Sequence, residues 1–323
     1  MRENYSVEDL QRAVNQYGVG VITKQFLFDS GLENSNYYIE TPHGRFVLKM
    51  FEGPAITSQT TTFEVEVMQR CSKAGLKVPK IYPNSEGFFV TSTKEKSAIL
   101  MEFVDGTNDE HRAISDNIAR ELGEQMGKID ALLSDLRDPS RTRQDFEYDA
   151  KNFLSLEKVL LQLPATFDRG IFESLFALFR SIKSKYDALP AGVIHNDIVP
   201  HNIIEKDDHI TAIIDFSDMA FSPYVQNLGT TFCMTFFAPG NWKPRQIPLF
   251  LSEYVRFHPL STTERSLLYE ATLIRFGVII LGNLMWDTLY GVDPVRTAYV
   301  EHRYRDLLRF SAFGKKEFEK LVK

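Results

Sequence analysis

The chain has 323 residues, 43% of them hydrophobic and 25% charged, a composition that supports a sizeable core in one large or two medium domains. The formal net charge is −6, and no basic block interrupts the sequence. Because a protein that binds duplex nucleic acid needs a positive footprint, we expect no nucleic-acid partner.

The N-terminal third is predicted to start with a helix and to continue as an antiparallel meander. The predicted elements are a helix over 6–17, strands over 21–28, 37–40 and 45–51, a turn over 31–36 and a helix over 61–74. In the third strand Phe46, Leu48 and Met50 alternate with Arg45, Val47 and Lys49, which is the period of a strand. Lys49 interrupts this apolar run, where lysine is normally avoided.

Two more strands, over 88–91 and 98–103, complete the β-rich part, and residues 104–106 are predicted to form a hinge. Long amphipathic stretches follow, with a short β segment over 192–215 among them. The predicted helices cover 114–135, 147–162, 168–187, 245–257, 262–290 and 293–310. The sequence therefore predicts an α+β protein, with a small antiparallel β lobe over 1–105 and a larger, mainly helical lobe over 106–323.

The strongest chemical signal lies in the β segment, where His195, Asp197 and Asn202 follow the spacing His-x-Asp-x-x-x-x-Asn of a kinase catalytic loop. Asp215 ends an apolar strand thirteen residues later. Phosphoryl transfer needs a group that accepts the hydroxyl proton and hard oxygen ligands for Mg²⁺. Asp197 is the candidate base, and Asn202 and Asp215 are the candidate metal ligands.

Lys49 is the second signal, because a kinase lysine bridges the α- and β-phosphates of ATP and pairs with a helical glutamate. Glu64 is the preferred partner over Glu66 on the next predicted helix. The predicted turn over 31–36 is a weaker candidate for a phosphate-covering loop, with the amides of Ser35 and Asn36 facing phosphates. An ordinary hairpin turn is the alternative.

These residues resemble the aminoglycoside phosphotransferase and choline kinase superfamily over nearly the whole chain, and within it the homoserine kinases of the phosphotransferase-like type. The resemblance is carried by residues 31–37 with 46–52, 101–106 and 254–276. It implies a two-lobed protein-kinase-like fold, the use of ATP and Mg²⁺, and adenine contacts from the backbone of Glu102 and Val104.

Three positions depart from that family pattern. Asn196 stands where many members have glycine, Asn227 where members often have aspartate, and Asp130 where histidine is common. None of the three departures removes a candidate catalytic group, but they bear on the identity of the acceptor.

The acceptor side is predicted to lie in the helical lobe. Arg275, in a nearly all-apolar helix, is a candidate clamp for a substrate carboxylate, and an internal ion pair with Asp218 or Glu270 is the alternative. Asp218 is a candidate for a substrate ammonium group, or a turn cap. Tyr224 is a candidate for the pocket lining, although most aromatic residues in such helices are core.

The leading functional hypothesis is an ATP-dependent kinase that phosphorylates a hydroxyl of an amino acid or amino alcohol, with homoserine as the first candidate. An antibiotic kinase of the aminoglycoside type and a catalytically silent nucleotide-binding module are the alternatives. In the leading hypothesis Asp197, Asn202 and Asp215 converge with Lys49 around one triphosphate.

The remaining features concern the compartment. No apolar segment of signal-peptide type follows the N-terminus, and the continuous apolar runs, such as 276–281, are too short to span a bilayer. Cys71 and Cys233 lie in apolar or helix-like stretches and are predicted to be buried, reduced thiols. We therefore expect a cytoplasmic protein with no membrane partner.

Overall fold

The computed structural model packs as two compact units, each described here by itself. The first unit is Met1–Gly106 with Thr211–Ser217, and the second is Thr107–Ile210 with Asp218–Lys323. The structure describes residues 5–28, 34–53, 56–109, 113–238 and 241–323.

The segment Thr211–Ser217 joins the first unit although it lies far along the chain. The amide of Ile213 donates to the carbonyl oxygen of Lys77 at 2.7 Å, and the hydroxyl of Thr211 donates to the carbonyl oxygen of Asp105 at 3.3 Å. A single boundary placed in the sequence does not anticipate such a returning segment.

The first unit is built on a six-stranded antiparallel sheet with two helices. Its elements are α1 (Val7–Asn15), β1 (Lys24–Leu27), β2 (Asn34–Thr41), β3 (Gly44–Phe51), α2 (Ser58–Lys73), β4 (Ile81–Tyr82), β5 (Thr91–Thr93) and β6 (Lys96–Glu102). The strand order is β1-β2-β3-β6-β4, and β5 pairs with β6. The predicted alternation of β3 is observed, because Phe46, Leu48 and Met50 lie in the core.

Two predictions for this unit are wrong. The turn predicted over 31–36 does not include Asn34, Ser35 or Asn36, which belong to β2 and pair with β3. Residues 31–33 lie outside the described residues. The strand predicted over 88–91 is β5, at Thr91–Thr93. Polar residues such as Asn34 and Ser35 favour turns by propensity, but pairing with a central strand overrides that preference.

The second unit is mainly helical. Its helices are α3 (Asp116–Leu132), α4 (Arg169–Asp187), α5 (Tyr224–Thr231), α6 (Ile247–Tyr254), α7 (Thr262–Tyr290), α8 (Pro294–Phe313) and α9 (Lys315–Leu321). Its short strands are β7 (Ala191–Ile194), β8 (Ile203–Lys206), β10 (Ala220–Pro223), β11 (Phe237–Ala238) and β12 (Asn241–Trp242), while β9 (His209–Ile213) spans the change of unit. The α+β class, with an antiparallel sheet and a helical part, is confirmed.

The helix predicted over 147–162 is a 3-10 helix, at Ala150–Gln162. Helix α5 and the π-helix Phe232–Phe236 behind it were not predicted. All eight residues of α5 are buried, among them Gln226 and Asn227, so the helix has no exposed face. A pattern of apolar buried and polar exposed positions therefore cannot reveal it.

Helix α7 is the long central helix of the second unit, with a capping box formed by Ser261 and Glu264. Its 29 residues are long and apolar enough to cross a membrane, but 89% of the apolar window is buried inside the structure. The expectation from the sequence that every apolar run is too short to span a bilayer therefore fails for α7. The burial of its apolar residues inside the unit is typical of a core helix.

Two features position the elements of this unit that carry or flank candidate site residues: the packing of α3 against α6 and the pairing of β7 with β10. On α3, a Cβ atom at Gly123 or Gly127 would lie 2.0 Å or 2.6 Å from a backbone carbonyl oxygen of α6, so only glycine allows this approach. Strands β7 and β10 pair antiparallel, with Ala220 opposite Ile194. The residues after β7 and before β10 therefore leave the same end of this small sheet.

Candidate active site

Lys49 is the centre of a buried polar cluster in the first unit. Its Nζ atom lies 2.6 Å from Glu64 Oε1, 3.1 Å from Asp215 Oδ1 and 2.7 Å from Ser217 Oγ. Asn34 Nδ2 donates to the same Ser217 oxygen at 3.1 Å. We call these five residues the Lys49 cluster. The predicted Lys49–Glu64 ion pair is present, and Glu64 rather than Glu66 is the partner.

Opposite charge fixes the ionisation of this cluster. Burial alone would lower the pKa of Lys49, but the carboxylates of Asp215 and Glu64 outweigh it and hold that pKa above its ordinary value. Burial raises the pKa of Asp215, whereas Lys49 and Ser217 lower it to about 2. Asp215 is therefore a carboxylate at neutral pH, and its side chain is 38% exposed.

Ser35 and Asn36, the predicted phosphate contacts, lie in strand β2, where their side chains point to opposite faces of the sheet. Asn36 pairs with Lys49 across the sheet, so their side chains share one face. Ser35 faces the other way, is fully buried and donates to Glu52 Oε2 at 2.7 Å. Asn34 and Ser217 were not predicted as site residues; the only signal for Ser217 was its position two residues after Asp215.

Glu102 and Val104, the predicted adenine contacts, lie at and just after the end of β6. The amide of Glu102 donates to the carbonyl oxygen of Lys80 at 2.8 Å. Among the described residues the amide of Val104 has no backbone acceptor. The Glu102 amide is therefore not available to adenine, whereas the carbonyl oxygen of Glu102 and the amide of Val104 remain candidates for that contact.

The catalytic-loop motif forms a second polar arrangement, in the second unit. Asn202 Nδ2 donates to Asp197 Oδ2 at 2.7 Å and to the Asp197 carbonyl oxygen at 3.0 Å. His201 Nε2 lies 3.6 Å from the same carboxylate, and His195 Nδ1 accepts from the Asp197 amide at 3.3 Å. Burial raises the pKa of Asp197, but His201, Arg275 and His195 bring it below its ordinary value.

The backbone just before Asp197 is unusual, because Asn196 has φ = +68°. Glycine adopts this left-handed conformation without strain, and asparagine tolerates it better than most residues. The structure thus gives a physical reason for asparagine at a position where many family members have glycine.

A hydrogen-bonded network holds Asn196 in that conformation. Its amide donates to Asn227 Oδ1 at 3.1 Å, and its side-chain oxygen accepts from Gln226 Nε2 at 2.8 Å. Asn227 Nδ2 in turn donates to Asp130 Oδ1 at 2.9 Å. The guanidinium of Arg275 donates to the Asn196 carbonyl oxygen at 3.4 Å. We call these five residues the Asn196 network.

Arg275 also donates to the carbonyl oxygen of Tyr148, and only 3% of the residue is exposed. It forms neither of the predicted ion pairs: Asp218 lies near Arg143, and Glu270 pairs with Lys315. Because these hydrogen bonds go to two backbone carbonyls, Arg275 holds the backbone just before Asp197. This geometry does not favour its predicted role as a carboxylate clamp.

Asp130, at the far end of the network, is fully buried. Tyr254 donates its hydroxyl hydrogen to Asp130 Oδ2 at 2.8 Å. Burial raises the pKa of Asp130 to about 7, against the smaller opposing effects of Tyr254 and Asn227. Asp130 has no ion pair among the described residues, which explains why two hydrogen bonds do not restore an ordinary pKa.

Of the other predicted acceptor residues, Asp218 has its Oδ1 atom 3.7 Å from Arg143 NH1. Tyr224 is only 2% exposed and belongs to a small core cluster with Ile194 and Ala220. Its burial matches the alternative interpretation, a core aromatic residue.

The candidate donor set can be tested against Mg²⁺. Asn202 uses its amide nitrogen on Asp197, which leaves its side-chain oxygen for another partner. Asp215 is an ionised carboxylate whose side chain is partly exposed. In the part of the chain that the structure describes, no group of three or more His, Cys, Asp or Glu residues is arranged for a metal. A side-chain amide oxygen and a carboxylate are each the kind of donor that Mg²⁺ takes, because it binds one or two protein oxygens with water and phosphate completing its shell.

The chain belongs to the phosphotransferase enzyme family, whose model matches residues 26–262. It is therefore a phosphotransferase acting on small molecules, as the sequence resemblance predicts.

Among curated proteins, it is similar to homoserine kinase of Xanthobacter autotrophicus, with 23% identity over 80% of this chain and 79% of that protein. Homoserine kinase of a Caulobacter species is 26% identical over the same shares.

Solved structures share the fold at low sequence identity. An amicoumacin kinase in complex with AMP-PNP, Ca²⁺ and Ami has a TM-score of 0.76 and 15% identity, over 98% of this chain and 97% of that one. A microcompartment-associated aminopropanol kinase has a TM-score of 0.76 and 16% identity, over 98% of this chain and all of that one.

Proposed function

We propose that this protein transfers the γ-phosphoryl group of ATP, with Mg²⁺, to the hydroxyl of a small amine-bearing alcohol, either an amino acid or an amino alcohol, with homoserine as the first candidate. The observation that carries the proposal is the buried Lys49, held by Glu64 at 2.6 Å and by Asp215 at 3.1 Å. A buried lysine with two carboxylate neighbours is the arrangement that nucleotide-dependent phosphoryl transfer uses to place phosphates and metal.

In this proposal each group has a defined task. The acceptor oxygen forms a bond to the γ-phosphorus, the bond to the bridging oxygen of ADP breaks, and the hydroxyl proton passes to Asp197. Asp197 Oδ2 accepts from Asn202, and Oδ1 is the oxygen assigned to the acceptor hydroxyl. Bound Mg²⁺ would neutralise the developing phosphate charge, with Asn202 and Asp215 as its protein ligands.

The low pKa of Asp197 keeps it ionised at neutral pH. A weak base suffices, because the transition state of phosphoryl transfer is loose and the proton leaves the hydroxyl late. Lys49 is assigned to the phosphates. The carbonyl of Glu102 and the amide of Val104 are assigned to the adenine ring. Asn36, on the Lys49 face of the sheet, remains a candidate phosphate neighbour, but Ser35 is directed away.

The similar proteins support an amine-bearing alcohol as the acceptor. Two homoserine kinases align over about four fifths of their length, and a fold neighbour is an aminopropanol kinase. Homoserine and aminopropanol are both small alcohols with an amine. A cytoplasmic location is part of the proposal, and Cys71 and Cys233 are buried and free, as thiols in a reducing compartment are.

An ATP-consumption screen tests the proposal. The acceptors are homoserine, hydroxylysine, choline, ethanolamine, methylthioribose and kanamycin, each with the wild-type chain and with Asp197→Asn. We expect turnover of homoserine or another amine-bearing small alcohol, reduced by about 10²–10⁴-fold or more in the variant because the base is lost.

The variant must still bind Mg·AMP-PNP as the wild type does, which excludes misfolding as the cause. Turnover of kanamycin alone would favour an antibiotic kinase. Tight Mg·AMP-PNP binding with no turnover of any acceptor would favour a silent module.

A further inference from the structure

The three N–H groups of Lys49 all have partners within the first unit. A lysine ammonium has three donors and no acceptor. Its partners are Glu64 Oε1 at 2.6 Å, Ser217 Oγ at 2.7 Å and Asp215 Oδ1 at 3.1 Å. A phosphate oxygen can therefore bind this ammonium only by displacing or sharing one of the three hydrogen bonds.

Two of these donors belong to a closed ring of hydrogen bonds formed by Lys49, Glu64 and Ser217. Glu64 accepts from Lys49 with Oε1 and from the Ser217 hydroxyl with Oε2, the latter at 3.3 Å. Lys49 and Glu64 are buried, so water competes little for these bonds. The third Lys49 donor leaves the ring and goes to Asp215.

The Ser217 hydroxyl is saturated. A hydroxyl donates one hydrogen bond and accepts two. It donates to Glu64 and accepts from Lys49 and from Asn34 Nδ2, the last at 3.1 Å. Asn34 is itself oriented, because its Oδ1 accepts from the amide of Glu52 at 3.4 Å. The hydroxyl therefore has a fixed direction and presents a preorganised acceptor to Lys49.

The bond from Lys49 to Asp215 is the one suited to exchange. It is the longest of the three, and the Asp215 side chain is 38% exposed, whereas that of Glu64 is 5% exposed. Asp215 Oδ1 also accepts from the amide of Ser217 at 3.3 Å. Ser217 thus orients the candidate metal ligand through its backbone and the lysine through its side chain.

We propose that Ser217 is a positioning residue of the nucleotide site. Together with Glu64 it holds the Lys49 ammonium in place while the third N–H of Lys49 passes from Asp215 to a phosphate oxygen of the nucleotide. The inference rests on the proposed phosphotransferase function and gives a task to a residue outside the catalytic-loop motif. When Asp215 serves as a metal ligand its attraction for the ammonium weakens, whereas Glu64 and Ser217 keep theirs.

Loss of the hydroxyl would leave the ammonium between two carboxylates, Glu64 and Asp215. A phosphate oxygen would then compete with Asp215 for a lysine whose direction is no longer fixed by a third contact. We therefore expect weaker binding of the nucleotide phosphates. The adenine contacts, assigned to Glu102 and Val104, should not change.

Titration calorimetry on Ser217→Ala, which keeps the Ser217 amide and removes only the hydroxyl, tests the inference. We expect the Kd of Mg·AMP-PNP to rise by about tenfold or more, because a hydrogen bond to a charged group is lost. The Kd of adenosine, which has no phosphate, should stay within about twofold of the wild-type value. Ser217→Thr keeps a hydroxyl and should bind Mg·AMP-PNP within about threefold of the wild type. Ser92→Ala, at an exposed serine of β5, is the matched control and should change neither constant.

A double-mutant cycle asks whether Ser217 acts through Lys49. In the background Lys49→Met with Glu64→Gln, the ammonium is absent and no uncompensated carboxylate remains in the ring. Adding Ser217→Ala there should change the Kd of Mg·AMP-PNP by less than about twofold. A loss of about tenfold in this background as well would show that Ser217 acts on the nucleotide or the metal directly, and would overturn the inference.

The other outcomes separate the inference from the proposed function. Unchanged or tighter Mg·AMP-PNP binding by Ser217→Ala, with normal binding by the wild type, would overturn the role of Ser217 and leave the phosphotransferase function in place. An equal loss for adenosine would show a general disturbance of the site and would also overturn that role. Failure of the wild type to bind Mg·AMP-PNP would overturn the proposed function itself.

Discussion

The Lys49 cluster and the Asn196 network are both buried and polar, but they are built in opposite ways. Lys49 is held by two carboxylates, at 2.6 Å and 3.1 Å. Asn196 is held mainly by amide groups, from Asn227 at 3.1 Å and Gln226 at 2.8 Å. The first arrangement keeps a charge ready for a charged ligand, and the second fixes a backbone conformation.

The difference also has an energetic side. Fixed opposite charges compensate each other's loss of hydration, so removal of one member leaves the other strongly destabilised. Amide hydrogen bonds pair uncharged groups, so the loss of one lowers the free energy of unfolding by less. It does, however, release the backbone conformation that the bond holds.

Lys49→Met should have the largest effect. It leaves Glu64 buried without its cation, and we expect the free energy of unfolding to fall by about 3–5 kcal/mol. We expect kcat/KM to fall by about 10²–10³-fold, because a fixed positive charge is lost from the phosphate side. Chemical denaturation and steady-state kinetics measure the two effects.

Adding Glu64→Gln to Lys49→Met is the control, because it removes the uncompensated carboxylate. The double variant should regain most of the stability but not the activity. A Lys49→Met protein as stable as the wild type would show that the ion pair contributes nothing to the fold.

Asp130 predicts a pH dependence of stability. Its pKa in the folded state is about 7, above the value of about 4 expected for an unfolded chain. The folded state therefore holds the proton of Asp130 more tightly than the unfolded chain does. The protonated carboxyl contributes fully to the free energy of unfolding below about pH 4. This contribution is lost as the pH rises to about 7, by at most roughly 1.4 kcal/mol per pH unit.

The measurement is the difference in unfolding free energy between the wild type and Asp130→Asn, by denaturant titration from pH 4.5 to pH 8. The amide keeps the partners and removes the titration, so the wild type should lose stability relative to the variant as the pH rises. Parallel curves for the two proteins would contradict a titrating Asp130.

Asn227→Asp introduces the residue that family members often carry, but it places a second carboxylate next to Asp130. We expect a loss of about 2 kcal/mol at pH 8 and a smaller loss at pH 5.5, where one carboxyl keeps its proton. Adding Asp130→Asn restores a donor opposite the new carboxylate and should restore the stability.

A double-mutant cycle on these two positions gives the coupling between them. If the two single effects simply add in the double variant, the two side chains do not act through the hydrogen bond observed at 2.9 Å.

Tyr224→Phe should have the smallest effect. The hydroxyl of Tyr224 is buried and has no hydrogen-bond partner among the described residues, so we expect a change in stability of less than about 1 kcal/mol, toward greater stability. Acceptor KM and kcat should be unchanged if the ring is core. A change in acceptor KM would instead favour the predicted place of Tyr224 in the acceptor pocket.

The same contrast explains what could be predicted from the sequence. Lys49 is conspicuous because lysine is rare within an apolar strand, and Asp197, Asn202 and Asp215 follow a fixed spacing on either side of short apolar strands. The α+β class and the bounds of α7 follow from periodicity, and α7 is found where it was predicted, over 262–290.

The remainder depends on contacts between residues distant in the chain. Asn227 and Gln226 lie in a helix that is buried on all sides, where neither periodicity nor composition marks them as functional. Arg143 lies in an irregular segment, and only folding brings it next to Asp218. The sequence indicates that Arg275 is a buried cation that needs partners. It does not indicate that these partners are the carbonyls of Tyr148 and Asn196.

The most direct test of the central claim is the Mg²⁺ dependence of AMP-PNP binding, measured by titration calorimetry on the wild type, Asn202→Ala and Asp215→Asn. We expect tight binding only with Mg²⁺ in the wild type, and a Mg²⁺ requirement shifted to at least about tenfold higher concentration in each variant, because each variant loses one protein oxygen from the metal. AMP-PNP affinity that is the same with and without Mg²⁺, and the same in all three proteins, would contradict it.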